Sequence, residues 1–367
     1  MNAKSPLLLI GIGTAGSSVA TGVSRAFGDG LRYLLMDTDA VSGQSNAPFA
    51  LLGGERLSGR SAGGDIVVGR LAAEESIRVL DDHLEGVRLA VIVTALGGGT
   101  GGGATLVAAK RLSERGIPSV VFATTPFSFE GAERHRNASD LMPMIEDAAS
   151  ATFFIPLDKL VAETDSMNDA LRRAVDTLAS GVTLFWRLVE KPGYIRLDVE
   201  RLRHIIAGAG RGRFATVTVQ GPNRAASAVD ALKQAKLLSG EAASPVKALL
   251  CGILAGDDLL LSEVGQIADG LRQAFGGSSF DLATVNDEQT FSGRISVVSM
   301  LFESAGKPDD DAPKPSSVMS GRRKKAKASQ NSWSSGRSRF KNVEPTIWNG
   351  EDLDVPTFIR KNLSIDF

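Results

Sequence analysis

An α/β fold is what this sequence predicts: a parallel sheet with helical crossovers, a long central helix, and a second, smaller α/β domain ahead of a disordered C-terminal tail. Three observations carry that expectation. Short apolar runs alternate with amphipathic segments of helical spacing, the pattern of strand–helix–strand units. The runs lack strict apolar–polar alternation, as strands covered on both faces do. From about Ser304 to Val343 apolar residues nearly vanish, so that stretch cannot bury enough surface to order itself.

Along the chain, "PLLLIGI" (6–12) reads as a buried strand ending in glycines, followed by the helix-spaced "SSVATGVSRAF". "RYLLMDTDA" (32–40), "RLAVIVTAL" (88–96) and "IPSVVFATTPF" (117–127) read as further strands. Helices are predicted between them in "GRLAAEESIRVLDDHL" and "ATLVAAKRLSER". From about Ile155 to Val189 the spacing is helical, and Pro192 and Gly193 end it. A second α/β region has strands in "FATVTVQG", "ALLCGILAG" and "RISVVSMLFE", with the helix "LSEVGQIADGLRQAFG" among them. The expected organisation is a first domain over 1–177, a central helix and loop over 178–204, a second domain over 205–304, a disordered linker over 305–343 and a docking segment over 344–367.

Bulk composition narrows the class. The chain has 367 residues, enough for two domains, with 43% apolar and 23% charged residues. A net charge of -1 gives no hint of a polyanionic partner, so no nucleic acid is expected. The sole cysteine, Cys251, rules out an internal disulfide framework and fits a reducing compartment. Three scattered His and one Cys argue against a His/Cys metal site. No apolar stretch approaches the ~18 residues of a membrane span, and the N-terminus lacks a signal-peptide pattern. A cytoplasmic home is expected.

Two glycine-rich turns carry the chemistry. "GIGTAG" (11–16) and "GGGTGGGA" (97–104) each follow a predicted strand and precede a predicted helix. Successive amides in such a turn, next to a helix N-terminus, can cradle a phosphate, and glycine lets the backbone approach it. The first turn alone also fits a dinucleotide-binding fingerprint, with Asp37 and Asp39 about twenty residues on, where a ribose-binding carboxylate would lie. A Rossmann oxidoreductase is therefore the competing reading, and a ligand-free βα turn the bland one. The denser second turn exceeds what a single Rossmann half requires.

"GGGTGGGA" resembles the signature turn of the tubulin and FtsZ superfamily: Gly97, Gly98, Gly99, Thr100, Gly101 and Gly103 match, and Gly102 stands where the family has a hydroxyl residue. The resemblance runs on in order through "LLLIGIGTAGSSV", "MDTDA", "AGGDIVVG" (62–69), "TTPFSFEGAERHR" (124–136), "IPLDKL" (155–160) and "DLDVPTFIRK" (352–361). It implies that 97–103 and 11–16 hold the phosphates of GTP or GDP, with Gly11, Gly13, Thr14, Ala15, Gly16 and Ser18 in the first turn. Asp39, Ala62, Gly63, Gly64, Thr124 and Pro126 would complete the lining. Glu130 would bond the ribose and Arg134 the ribose or γ-phosphate, against the alternative of a surface ion pair. Mg2+ or K+ is the candidate cation.

Departures from the family pattern weigh on specificity and turnover. Leu157 stands for a base-contacting Asn, and Leu171 for a stacking Phe; Asp176 keeps the base-binding carboxylate. In "RLDVER" (196–201), which resembles the loop that completes a neighbouring subunit's site, Asp198 is kept, Arg196 replaces an Asn and Arg201 replaces a second Asp. Arg201 stays protonated and cannot act as a general base. Three outcomes stay open: weakened hydrolysis resting on Asp198 or Glu200, an arginine that stabilises developing phosphate charge, or salt bridges across the contact. The resemblance implies head-to-tail self-assembly, copolymerisation with a related chain, and localisation at the division site. Residues 350–361, with Asp352, Asp354, Pro356, Phe358, Ile359, Arg360 and Lys361, would dock a division or membrane-tether protein, so the membrane is met only indirectly. The basic run Arg322–Lys327 reads as a solvated linker stretch.

Overall fold

The computed structural model describes residues 5–28, 30–43, 47–162, 164–239, 245–304, 347–348 and 351–352. The chain forms two compact units, 1–309 and 310–367. In the second, Ile347–Trp348 pairs antiparallel with Glu351–Asp352. The expected linker 305–343 and the rest of the docking segment lie outside the described residues.

In the first unit the strands are β1 (Leu7–Ile12), β2 (Tyr33–Asp37), β3 (Phe49–Leu51), β4 (Leu89–Ala95), β5 (Ser119–Thr125), β6 (Ala151–Pro156), β7 (Ala209–Gln220), β8 (Val246–Ala255), β9 (Ser279–Asn286) and β10 (Arg294–Ser304). The helices are α1 (Gly13–Phe27), α2 (Gly54–Leu57), α3 (Ile66–Asp81), α4 (Gly99–Glu114), α5 (Ala132–Ala148), α6 (Met167–Glu190), α7 (Val199–Ile206), α8 (Arg224–Lys233), α9 (Leu261–Phe275) and α10 (Glu288–Phe291). One ten-stranded sheet runs β3-β2-β1-β4-β5-β6-β7-β10-β8-β9. It is parallel from β3 to β7, antiparallel on both sides of β10, and parallel again between β8 and β9.

The inner strands are buried on both faces, which is why their sequences show no alternation: all six residues of β1 are buried. One apolar cluster, under α1 and α6, joins Leu9, Val91, Phe122, Phe153, Trp186 and Phe214. A second lies under α3, α4 and α5, and a third under α8 and α9. Phe122 stacks on Phe153 at 5.0 Å and meets Phe214 edge-on at 5.0 Å. α6 starts where the Ser166 hydroxyl accepts from Asp169 N at 3.2 Å, satisfying a first-turn amide.

Three strands departed from the expected pattern, and β9 was not expected at all. "ATFFIP" (151–156), read partly into a helical stretch, is β6; its β-branched and aromatic side chains pack between β5 and β7. β3 is only three residues, too short to show a period. The helices also begin earlier than expected. α1 takes in Gly13–Gly16 and α4 takes in Gly99–Gly103, so most of both glycine turns is helical first turn.

Candidate functional site

The strand order fixes where a ligand can enter. From β1 the chain builds outward to β2 and β3, then returns to the other side of β1 with β4. Ligands of open α/β sheets bind beyond the strand C-termini at such a reversal. Here that crevice lies between the ends of β1 and β4, and α1 and α4 begin there. Neither helix has a side-chain cap, so their first-turn amides have no helical partner. An added Cβ at Gly13 would lie 3.3 Å from Gly101 N, so the two helix starts lie against each other. Their combined dipoles favour an anion.

The glycines divide into two groups. Gly97 has φ +96°, a left-handed conformation that strains any L side chain, and Gly98 faces open space. The others are there for packing. A Cβ at Gly99 would sit 2.5 Å from Asp65 O, at Gly101 2.2 Å from Ala95 O, and at Gly103 2.5 Å from Ile66 O. α4 thus presses its backbone on α3 and β4, which sets the direction of its N-terminus. Asp65 caps α3 through Val67 N at 2.8 Å and Val68 N at 3.2 Å.

Hydroxyls and one carboxylate tie the pieces together. Thr38, fully buried, meets Thr100 Oγ1 at 2.7 Å and accepts from Ala62 N at 3.2 Å, which joins the 62–64 turn to the start of α4. Asp37, 2% exposed, accepts from Thr14 Oγ1 at 3.1 Å, Ser42 Oγ at 2.7 Å and Thr38 N at 2.8 Å. Ser18 Oγ donates back to Thr14 O at 2.9 Å. Thr38 was not among the expected site residues, and Asp37 was expected only as a ribose-binding carboxylate of the competing Rossmann reading; nothing local marks the Thr38 side chain as pointing at a helix 62 residues on.

Thr124 is the last residue but one of β5, and Pro126 follows the strand, packed where a Cβ on Gly97 would come within 2.7 Å of its ring. Glu130 accepts from Phe127 N at 2.9 Å and from Arg134 at 2.5 Å, so these two residues form an ion pair in this structure. Leu157 opens the short turn after β6. Leu171 and Asp176 are exposed on the first half of α6. Among the described residues Asp176 has one ion pair, a long one of 3.9 Å to Arg172, and it lines a cavity of about 510 Å3 with Gly22, Arg25, Ser180 and Arg187.

The "RLDVER" residues lie elsewhere. Roughly 20 Å of helix separates Asp176 from Glu190, after which that loop begins. It is bonded to β9, at the far edge of the sheet from β1. Asp198 caps α7, accepting from Arg201 N at 2.7 Å. Arg201 Nε donates to Asp281 Oδ1 at 2.7 Å, and Asp281 is nearly buried on β9. Glu200 takes Arg88 and Arg203, and the Arg88 guanidinium foremost holds its carboxyl below the usual range. Arg196 is exposed, with no ion pair among the described residues.

Residues 6–165 match the family model described as "Tubulin/FtsZ family, GTPase domain". The cell division protein FtsZ of Coxiella burnetii is 31% identical over 274 residues, covering 73% of this chain and 71% of the relative. The chain belongs to the tubulin/FtsZ family. FtsZ of Magnetospirillum gryphiswaldense is 30% identical over 319 residues, 83% of this chain; the chain spans only 56% of that relative's length. The FtsZ dimer of M. jannaschii shares the fold, with a TM-score of 0.76 at 23% identity over 82% of this chain and 89% of that one. The matched segment contains both glycine turns; the "RLDVER" loop lies beyond it. No helix among the described residues is long and apolar enough to cross a membrane.

Proposed function

We propose that this chain is a cell-division cytoskeletal protein that binds GTP and GDP and assembles head to tail into filaments. The single observation that carries the nucleotide reading is the pair of uncapped helix N-termini, α1 and α4, side by side at the β1/β4 reversal. Gly11, Gly13–Gly16 and Gly97–Gly103 hold the phosphates, and Ala62–Gly64 meet the terminal one. Asp176, held only by a long 3.9 Å ion pair to Arg172 among the described residues, accepts the N1–H and exocyclic amine of guanine; Leu157 offers the base no hydrogen bond. Glu130 and Arg134 reach the sugar and phosphates only by loosening their mutual ion pair. Mg2+ or K+ accompanies the nucleotide.

The head-to-tail reading is supported by separation within one chain: the phosphate site and Asp198 belong to opposite ends of α6. Hydrolysis at the subunit contact is weak. Asp198 is engaged as a helix cap, Glu200 is claimed by two arginines, and Arg201, in place of a carboxylate, is paired with Asp281. The chain then acts in division either as a slow GTPase or as a nucleotide-holding partner of a related filament. A docking segment over 350–361 would join it to a division or membrane-tether protein.

Phosphate release measured against protein concentration, with sedimentation in parallel, tests both parts. Release rising more steeply than linearly above a threshold is the result expected of a site completed between copies. GTP bound without sedimentation at any concentration would remove the filament reading, and absence of GTP binding would remove the nucleotide reading.

A further inference from the structure

The cavity of about 510 Å3 that Asp176 lines is walled by α1, α6, α10, β7 and β10. Its volume is that of a small-molecule site. Apart from Asp176, none of its side chains takes part in the proposed nucleotide contacts. Arg25, on one wall, lies roughly 18 Å along α1 from Gly13, where the first glycine turn enters the helix. Beside it α1 closes on α6: an added Cβ at Gly22 would lie 2.9 Å from that of Ala179.

The charge of this cavity is one-sided. Among the described residues Arg25, Arg187 and Arg294 line it, against one carboxylate, Asp176. Arg187 is committed: Nη1 donates to Asp287 Oδ2 at 2.8 Å and to Thr290 Oγ1 at 3.3 Å, and the guanidinium lies 5.6 Å from the centre of the Phe27 ring. Asp176 has Arg172 at 3.9 Å. Arg25 has no ion pair or side-chain hydrogen bond among the described residues. Arg294 donates only to a neutral group, the carbonyl of Thr290. Arginine does not lose its proton in proteins, so two cations face one cavity with no carboxylate to answer them. An anion between them relieves their repulsion.

Hydroxyl donors complete the lining. Thr218 and Ser296 stand opposite each other in the β7–β10 register and share one hydrogen bond of 2.7 Å, which leaves one of the two hydroxyl protons to donate. Ser180 on α6 has no side-chain hydrogen bond among the described residues. Leu184 and Phe291 supply an apolar wall.

We infer that this cavity binds a small dianion, a phosphate ester or a dicarboxylate, held by Arg25 from α1 and Arg294 from β10. The planar guanidinium offers parallel N–H groups that match the paired oxygens of either head group. Ser180 and the Thr218–Ser296 pair donate to the remaining oxygens. The bound anion joins α1 to β10 and so stabilises the folded chain by mass action. The inference goes beyond the nucleotide reading and does not rest on it.

The experiment titrates the full chain with glycerol phosphate and with succinate at constant ionic strength, which removes general screening as a cause. Saturating GDP is present, so that the glycine turns do not take up the probe; a chain that takes no GDP is titrated without it. Calorimetry gives the affinity, and thermal melting gives the stabilisation. Saturable binding of one or both probes to the wild type, with a raised Tm, is expected, and the probe that binds names the head group. Arg25→Ala and Arg294→Ala should each weaken it about tenfold or more, and the Lys variants should recover part. Melting without probe shows that the variants are folded; Arg25→Ala, which removes an exposed side chain with no partner among the described residues, should melt with the wild type. Equal binding by wild type and both Ala variants puts the anion elsewhere and overturns the inference. So does the absence of saturable binding of either probe. Acetate binding as tightly as succinate overturns the dianion assignment, and probe binding that GDP abolishes belongs to the nucleotide crevice and overturns it as well.

Discussion

Replacing Gly69 with alanine tests whether α4 is aimed by its contact with α3. An added Cβ at this position would lie 2.1 Å from Gly99 O, 2.5 Å from Gly99 C and 3.0 Å from Thr100 N. All three are backbone atoms, so no rotamer change relieves the clash. Ordinary contact begins near 3.4 Å, so the start of α4 must retreat by about 1.3 Å. Overpacking of this kind costs about 1–3 kcal/mol. The gain in helix propensity from Gly to Ala, about 1 kcal/mol, offsets part of it. A net loss of up to about 2 kcal/mol lowers Tm by up to roughly 8 °C in a chain of this size. Gly265 in α9 is the matched control: it too is mid-helix, but nothing lies within 4 Å of its added Cβ. Gly265→Ala should raise stability by about 1 kcal/mol. On the proposed nucleotide site, the same 1.3 Å shift would stretch amide–phosphate hydrogen bonds beyond their range, so Gly69→Ala should also bind GTP about tenfold or more weakly, at roughly 1.5–3 kcal/mol for one such bond. Thermal melting and a fluorescent-GTP titration read both effects. A Gly69→Ala protein that melts with or above the wild type and binds GTP equally well would refute this account of the glycines.

Two further outcomes follow from other side chains. Hydrogen bonds from Arg111, with Arg115 adding to them, hold the Asp81 carboxyl down to about 2 from its usual 3.8. Because the folded-state value is depressed, the pair's stabilisation is fully present above pH ~3.8 and is lost as pH falls through 2. Asp81→Asn should therefore show a flatter fall in urea midpoint between pH 4 and 2 than the wild type; parallel curves would contradict this. Complete burial pushes the Cys251 thiol up to about 12, so it should react with an aromatic disulfide reagent only as fast as the protein unfolds. Labelling within minutes under native conditions would contradict that.

Much of the fold could be read locally because its signals are local. β1, β2, β4 and β5 are apolar runs bounded by glycine or polar residues, and their observed ends fall within a few residues of the expected ones. β6 was harder to read, because helical spacing was read from Ile155 on, whereas the strand reaches Pro156 and the turn Leu157–Lys159 and further loop residues come before α6 begins at Met167. The glycine turns were legible as a likeness in order and spacing, but their division of labour was not. Gly98 and Gly99 are chemically identical and adjacent, yet one faces open space and the other abuts Asp65.

By itself, the sequence determined the strand–helix alternation, the two glycine turns after β1 and β4, and the family, since each depends on residues close together in the chain. Only the tertiary structure decided which arginine of "RLDVER" is free. Asp281, which claims Arg201, lies 80 residues downstream and is brought alongside by the lacing of Ile195 to Thr284 on β9. The same holds for Thr38 and Thr100, 62 residues apart, whose hydroxyls meet because β2 and α4 converge at one end of the sheet. Charge and hydrogen-bonding capacity are properties of a residue, but whether they are already used depends on what the fold sets beside it.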